Sequence, residues 1–285
     1  MSVLTPGDWD IEALWSALQP VWPGLSVELV DEIGSTNVEL TDRLRRLAVV
    51  HAGGQVPDDA VLPVLLVARR QTSGRGRLGR PWLADPDSAL TASLCLPIDR
   101  ADWSGLSLAV GVALANALDA TGQHLGLKWP NDLCLRDASQ PLGRKAGGVL
   151  IEAVNVGHRR IAVIGFGLNV RPQAVPDRPT GALTEIWPEA TPPAALARVM
   201  PALLQALQRF DQQGFAPFLP AYAPLDLLSG LPVATTDAQC AAGIARGVDT
   251  DGALRVQQGE RIHRIVSGEV SVRAHATELP PAPGH

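Results

Sequence analysis

From Gly74 to Trp82 the chain reads Gly-Arg-Gly-Arg-Leu-Gly-Arg-Pro-Trp, with Gln71 just ahead. Arginine forks pair with carboxylate and phosphate. Glycines let a backbone approach a ligand closely, and an indole offers a flat face to a planar ring. The combination predicts a loop that surrounds an anion, since a solvated surface turn needs none of these specialised residues. Gly74, Gly76 and Gly79 also fit Gly-x-Gly-x-x-Gly. A dinucleotide fold, however, starts a helix inside that pattern, and Pro81 and Pro86 would break it. No P-loop string, Gly-x-x-x-x-Gly-Lys followed by Ser or Thr, occurs.

Four further strings carry polar groups at element boundaries. Ser35-Thr36-Asn37 lies at a strand–helix junction, where a cap explains only one of the three residues. Lys128-Trp129-Pro130-Asn131-Asp132 puts a cation, a ring and two polar groups in a turn-favouring run. Gly143-Arg144-Lys145-Ala146-Gly147-Gly148 leads a lysine into the strand ending at Glu152, either as a phosphate or oxyanion contact or as an exposed loop lysine. Gly165-Phe166-Gly167-Leu168-Asn169-Val170 read alone is a bulge.

Apolar spacing shows which elements must hold these strings. Asp8 caps a short helix through Leu18, ended by Pro20 and Pro23. Val27 to Ile33 reads as a strand. Ser35 or Thr36 then caps a helix with Val38, Leu40, Leu44 and Leu47 on one side. His51 to Asp59 is a polar loop. Leu62–Ala68 is a buried strand feeding the arginine loop, and Ala89–Leu96 is an alternating strand. Trp103–Ala120 is a helix, and Leu125–Trp129 and Leu133–Leu135 are short strands around the Pro-Asn-Asp turn. Gly147–Val154 and Arg160–Asn169 form a hairpin, and Pro193–Gln212 is an amphipathic helix. Then come five short strands, Leu231–Thr236, Gln239–Gly247, Leu254–Gln258, Arg261–Val266 and Glu269–Arg273, with a hairpin signal at Thr250-Asp251-Gly252. They predict a small barrel.

The 285 residues, 46% hydrophobic, suffice for one large domain or one with a small companion. The formal net charge of −5, from 24 Lys+Arg against 29 Asp+Glu, argues against general nucleic-acid binding. The five arginines from Arg69 to Arg80 are a local exception. Cys95, Cys134 and Cys240 are scattered and odd in number, which supports neither a disulfide framework nor a zinc site. A reduced, cytoplasmic protein is expected. No stretch approaches ~18 uninterrupted apolar residues.

Taken together, Gly74–Trp82, Lys128–Asp132, Lys145–Glu152, Gly165–Asn169 and Ser35–Asn37 resemble the hallmark stretches of bacterial biotin protein ligases, in order and spacing over roughly residues 27–273. The resemblance implies an α+β fold: a mixed sheet backed by helices, of the class II synthetase-like biotin/lipoate ligase type, followed by a small SH3-like β-barrel. The expected organisation is an N-terminal extension (1–25), a catalytic domain (26–225), the SH3-like domain (226–275) and a disordered tail (276–285). The implied reaction joins biotin and ATP into biotinyl-5′-AMP, then passes biotin to a lysine of a biotin carboxyl carrier protein such as that of acetyl-CoA carboxylase. Mg²⁺ is expected with the triphosphate.

By the same resemblance, Lys145, Arg77 and Asp132 are the catalytic candidates, with Asp132 as a Mg²⁺ ligand or a helper in deprotonating the acceptor lysine. Ser35, Thr36, Asn37, Gln71, Gly74, Arg75, Gly76, Arg77, Lys145 and Gly148 would contact biotin. Arg75, Arg77, Arg80, Trp82, Lys128, Asn131, Lys145 and Asn169 would contact the nucleotide. A DNA-binding repressor role is not expected, because about 34 residues precede Ser35. No membrane association is expected, and monomer or homodimer stays open. The alternatives are a lipoate–protein ligase and a non-catalytic ligand- or nucleic-acid-binding module.

Overall fold

The computed structural model describes residues 9–50, 57, 60–82, 85, 87–173, 175, 179–237, 240–266 and 273–274. Asp8, nearly all of the 51–59 loop, the 276–285 tail and most of the Glu269–Arg273 strand lie outside these residues. The first helix, α1 (Ile11–Leu18), is capped by Asp10, whose carboxylate accepts from the Ala13 N–H at 2.9 Å.

Seven strands form one sheet: β1 (Ser26–Ile33), β2 (Val64–Gln71), β3 (Ala89–Pro97), β4 (Leu125–Lys128), β5 (Asp132–Asp137), β6 (Gln140–Val156) and β7 (Arg159–Asn169). Their order is β1-β2-β3-β7-β6-β5-β4. β1 and β2 are parallel, so a crossover must join them, and α2 (Thr36–Val50) supplies it. The remaining neighbours are antiparallel, making the sheet mixed. Ser35 starts α2: its carbonyl accepts from the Glu39 N–H at 3.0 Å and its hydroxyl from the Val38 N–H at 3.5 Å.

Strand alternation divides the core between the two faces. On β7, Ala162, Ile164, Phe166 and Leu168 join the larger cluster, with α3 (Leu106–Leu118) and α4 (Pro192–Gln213). Ile161 and Val163 point the other way, packing with Leu40 and Leu44 of α2 and with Cys95 of β3. Followed along the α2 side, the apolar residues thin out. β7 continues with Gly165 and Gly167, β3 has Ser93 and Thr91 beyond Cys95, and β6 has Glu152 and Leu150 before Val154. The sheet thus has an apolar end under α2 and a polar, open end.

α3 leads into β4 through Asp119, which is 6% exposed. Its carboxylate accepts from the Thr121 hydroxyl at 2.6 Å and from the N–H groups of His124 and Leu125 at 2.7 and 2.9 Å. Burial pushes its pKa up, but the hydrogen bonds from Thr121, Leu125 and His124 outweigh it and hold the group below its ordinary value. Asp119→Asn is expected to cost about 1–3 kcal/mol of stability at neutral pH by leaving buried donors poorly matched. The folded pKa is the lower one, so the wild-type advantage is full above the unfolded value of about 3.9 and disappears as pH falls through the folded value. Urea unfolding of both proteins across that range checks it.

The C-terminal strands β8 (Pro232–Ala234), β9 (Ala242–Val248), β10 (Leu254–Gln258), β11 (Arg261–Ile265) and β12 (Arg273–Ala274) form an antiparallel sheet in the order β11-β10-β9-β8-β12. Among the described residues no pairing joins β11 to β12, so the expected barrel stands here as a five-stranded sheet. Its Val233, Ala245, Leu254 and Val256 belong to the same core cluster as α3 and α4.

Candidate active site

The open end of the sheet forms one wall of a cavity of about 140 Å³. Its polar side chains are held by one another. Gln71 Oε1 accepts from the Thr36 N–H at 2.7 Å, and Thr36 Oγ1 lies 2.7 Å from Ser93 Oγ. Ser93 donates to Asn37 Oδ1 at 2.6 Å, and Asn37 Nδ2 donates to Glu152 Oε2 at 2.8 Å. Ser35, Thr36, Asn37 and Ser93 are all buried. The backbone comes close enough because β7 has no side chains here. A Cβ on Gly165 would collide with the Asn37 amide, and one on Gly167 would sit 2.5 Å from the Trp82 ring. β7 keeps register with both neighbours through this run, so the glycines serve close approach and there is no bulge in it.

The bulge lies instead on β6. Asp132 pairs with Gly148 and Leu133 with Gly147, but Cys134 pairs with Lys145, leaving Ala146 as the extra residue. Without that residue Lys145 would share a face with Gly147. With it, Lys145 lies on the face of Asp132 and Gly148. Its ammonium pairs with Asp132 and lies 5.9 Å from the centre of the Trp82 ring. The Lys145 backbone is clamped as well: its N–H donates to Pro179 O at 3.1 Å, and its carbonyl accepts from Gly181 N at 2.9 Å.

The arginine loop closes over this floor as a small hairpin. Trp82 N donates to Gly74 O at 2.9 Å, Gly76 N to Arg80 O at 2.7 Å, and Thr72 and Ser73 tie its base to Ile33 and Gly34. Its tip carries Leu78 at φ 58°, a left-handed conformation that a leucine seldom adopts. Arg77 is half-buried and reaches Asn131 Oδ1 at 3.5 Å. Burial pushes its guanidinium below its ordinary pKa, Asp132 opposes that, and Arg80 adds repulsion. Asn131 is itself fixed, donating to Val149 O at 2.8 Å.

Of the residues singled out in the sequence, Ser35, Thr36, Asn37, Gln71, Arg75, Gly76, Arg77, Arg80, Trp82, Lys128, Asn131, Asp132, Lys145 and Gly148 line this cavity. Gly74 and Asn169 do not. Gly74 packs under the Trp82 carbonyl. Asn169 is buried and donates to Lys145 O at 3.1 Å and Gly181 O at 3.2 Å, so it holds the lysine's strand in place. Trp129 is buried, its Nε1 donating to Gly252 O at 3.0 Å across to the C-terminal sheet. Sequence reading passed over Thr91 and Ser93, which also line the cavity. The signal was two hydroxyls on one face of an otherwise apolar alternating strand.

Among the described residues no three His, Cys, Asp or Glu side chains form a metal-binding group, and Asp132 is engaged by Lys145. The chemistry on offer is electrostatic: five cations, Arg75, Arg77, Arg80, Lys128 and Lys145, around a cavity whose opposite wall is uncharged and hydrogen-bonding. Gly167→Ala is expected to push the indole off β7 and loosen the loop. Hydrogen exchange across residues 74–82 should rise about tenfold or more. Unchanged exchange would show that Trp82 does not anchor the loop.

Residues 62–169 match the Biotin/lipoate A/B protein ligase family, and residues 229–273 match the Biotin protein ligase C terminal domain. The bifunctional ligase/repressor BirA of Escherichia coli is 31% identical over 260 residues, covering 88% of this chain and 75% of BirA. The biotin–acetyl-CoA-carboxylase ligase of Mycobacterium tuberculosis is 30% identical over 263 residues, covering 86% of this chain and 88% of that protein. Among solved structures, the biotin protein ligase of Aquifex aeolicus in complex with biotin and ATP superposes with a TM-score of 0.70 at 26% identity, covering 88% of this chain and 99% of that one. Sequence, fold and the arrangement of the cavity agree, and the chain belongs to the biotin protein ligase family.

Proposed function

We propose that this cavity joins biotin to AMP and that the chain then transfers biotin to a carrier-protein lysine. The observation that carries this reading is the cavity's two-sided build, buried neutral hydrogen-bonding groups on one wall and five cations on the other. Biotin has the matching polarity, with a ureido ring at one end and a carboxylate at the other. In the first step a carboxylate oxygen attacks the α-phosphorus of ATP, the bond to the β-phosphate oxygen breaks, and pyrophosphate leaves. Two anions must meet, and the arginines and Lys145 offset a repulsion of about 4 kcal/mol at contact, taking an effective dielectric of about 20. In the second step the lysine amine attacks the acyl carbon, AMP departs and the amine gives up a proton.

Lys145 is assigned to the carboxylate and then to the acyl-phosphate oxygens. Arg75, Arg77 and Arg80 orient the phosphates, with Lys128 and Asn131 on the nucleotide side and Trp82 as the stacking face. Asp132 positions Lys145. Mg²⁺ would arrive on the triphosphate, since it takes phosphate oxygens and waters more readily than a protein cage. Among the described residues no helix is long and apolar enough to cross a membrane. A cytoplasmic setting fits Cys95, Cys134 and Cys240, which are buried and form no disulfide.

Lipoate is the competing acid. Its dithiolane ring has no N–H to offer the lone pairs that Thr36 and Ser93 have left, so it forgoes hydrogen bonds that a ureido ring gains there. Incubating the protein with ATP, a biotin carboxyl carrier domain and labelled biotin or lipoate tests the choice. Label on the carrier from biotin alone is expected, and label from lipoate alone would refute the reading.

A further inference from the structure

Glu152 belongs to none of the cavity-lining residues, yet the buried polar wall ends on it. Counting protons fixes the direction of every bond in that wall. A carboxylate only accepts, so Asn37 turns its amide nitrogen toward Glu152 and its oxygen toward Ser93. The Leu150 carbonyl, another acceptor, lies 3.5 Å from the same nitrogen and favours the same sense. Asn37 Oδ1 takes the single hydroxyl proton of Ser93. Ser93 Oγ, 2.7 Å from Thr36 Oγ1, can then only accept, which uses the single proton of Thr36. Gln71 Oε1 also lies 3.1 Å from the Thr36 hydroxyl, but it already accepts from the Thr36 backbone N–H at 2.7 Å, and the shorter contact, to Ser93, takes the hydroxyl proton.

All the bonds therefore run one way, Thr36 to Ser93 to Asn37 to Glu152, and bonds aligned head to tail polarise one another. What the two hydroxyls have left to offer the cavity is lone pairs. Gly165 leaves room for the Asn37 amide but has no side chain to orient it, so its orientation depends on the acceptors of β6.

We propose that Glu152 is a positioning residue: through Asn37 and Ser93 it fixes this wall as a hydrogen-bond acceptor and so selects bound acids whose ring carries N–H donors. The inference rests on the biotin reading above, because the ureido ring supplies such donors.

The test is steady-state kinetics of the full chain with biotin and with a biotin analogue in which one ureido N–H is replaced by oxygen. Glu152→Ala, Glu152→Gln and Ser93→Ala are compared with wild type, with folding checked by thermal melts. Glu152→Ala is expected to raise the biotin KM about tenfold, the loss of one hydrogen bond to a charged group, with kcat within about twofold. It should also narrow the preference for biotin over the analogue by about fivefold or more. Glu152→Gln keeps a carbonyl oxygen for Asn37 and should restore most of the KM. Ser93→Ala breaks the same chain nearer the cavity and should narrow the preference likewise. If Glu152→Ala and Ser93→Ala both keep the wild-type KM and preference, the proposal is wrong. A lower melting temperature and kcat with the preference intact would make Glu152 merely structural, which also overturns it. A wild type that adenylates lipoate and not biotin removes the biotin reading, and this proposal with it.

Discussion

Lys145→Ala is expected to lower both adenylate formation and transfer by about 10²–10³-fold, the usual cost of removing one preorganised group that stabilises developing charge. Both steps place negative charge on oxygens of the acyl phosphate, and the ammonium is carried into the cavity by the β6 bulge. The loss goes beyond a missing cation. Asp132, paired with Lys145 in the intact protein, would lose that partner and face two incoming anions. At about 4 Å each such repulsion is worth about 4 kcal/mol at an effective dielectric of about 20. Biotin should also bind more weakly. Lys145→Arg should be only partly tolerated, because a planar fork does not fit where a compact charge sits between Asp132 and the Trp82 ring. Supplying the alanine variant with preformed biotinyl-5′-AMP and carrier separates the steps. Wild-type transfer under those conditions would confine Lys145 to the first one.

Arg77→Ala is the second large effect. It should slow pyrophosphate release about 10²-fold while leaving the melting temperature near that of wild type. The fold is spared because Arg77 sits on the hairpin loop, outside the apolar core. Activity is not spared because the guanidinium is already half-desolvated beside Arg80. That is an unfavourable position for a cation, which an incoming phosphate or carboxylate relieves. The adenylate should also leave the variant faster, exposing its mixed anhydride to water. Pyrophosphate release within about twofold of wild type would remove Arg77 from the mechanism.

Much of this was legible in the chain because the informative residues are locally unusual. Arginines between glycines, and a lysine entering a strand through glycines, have few structural uses, and each marked the cavity. Strands β3 and β7 followed from the sequence to within a residue or two, whereas β6 begins at Gln140, seven residues before the expected Gly147. What the sequence hid was set by partners distant along the chain. Gly165 and Gly167 read locally as a bulge, and only the approach of Asn37 and Trp82 explains them. The real bulge, at Ala146, depends on the register of β5 against β6. Ser93 is unremarkable until Thr36 and Asn37 are folded against it from 57 and 56 residues away. Asn169 has the composition of a ligand contact, yet it is spent on the backbone of Lys145.

The central claim is that this cavity makes an acyl adenylate from biotin. Mass spectrometry of the protein incubated with biotin and Mg-ATP, without carrier, measures it directly. The account predicts biotinyl-5′-AMP bound to the wild-type protein with an equivalent of pyrophosphate released, and neither product when lipoate replaces biotin. Active-site-stoichiometric lipoyl-AMP, or pyrophosphate release that does not depend on biotin, would contradict it.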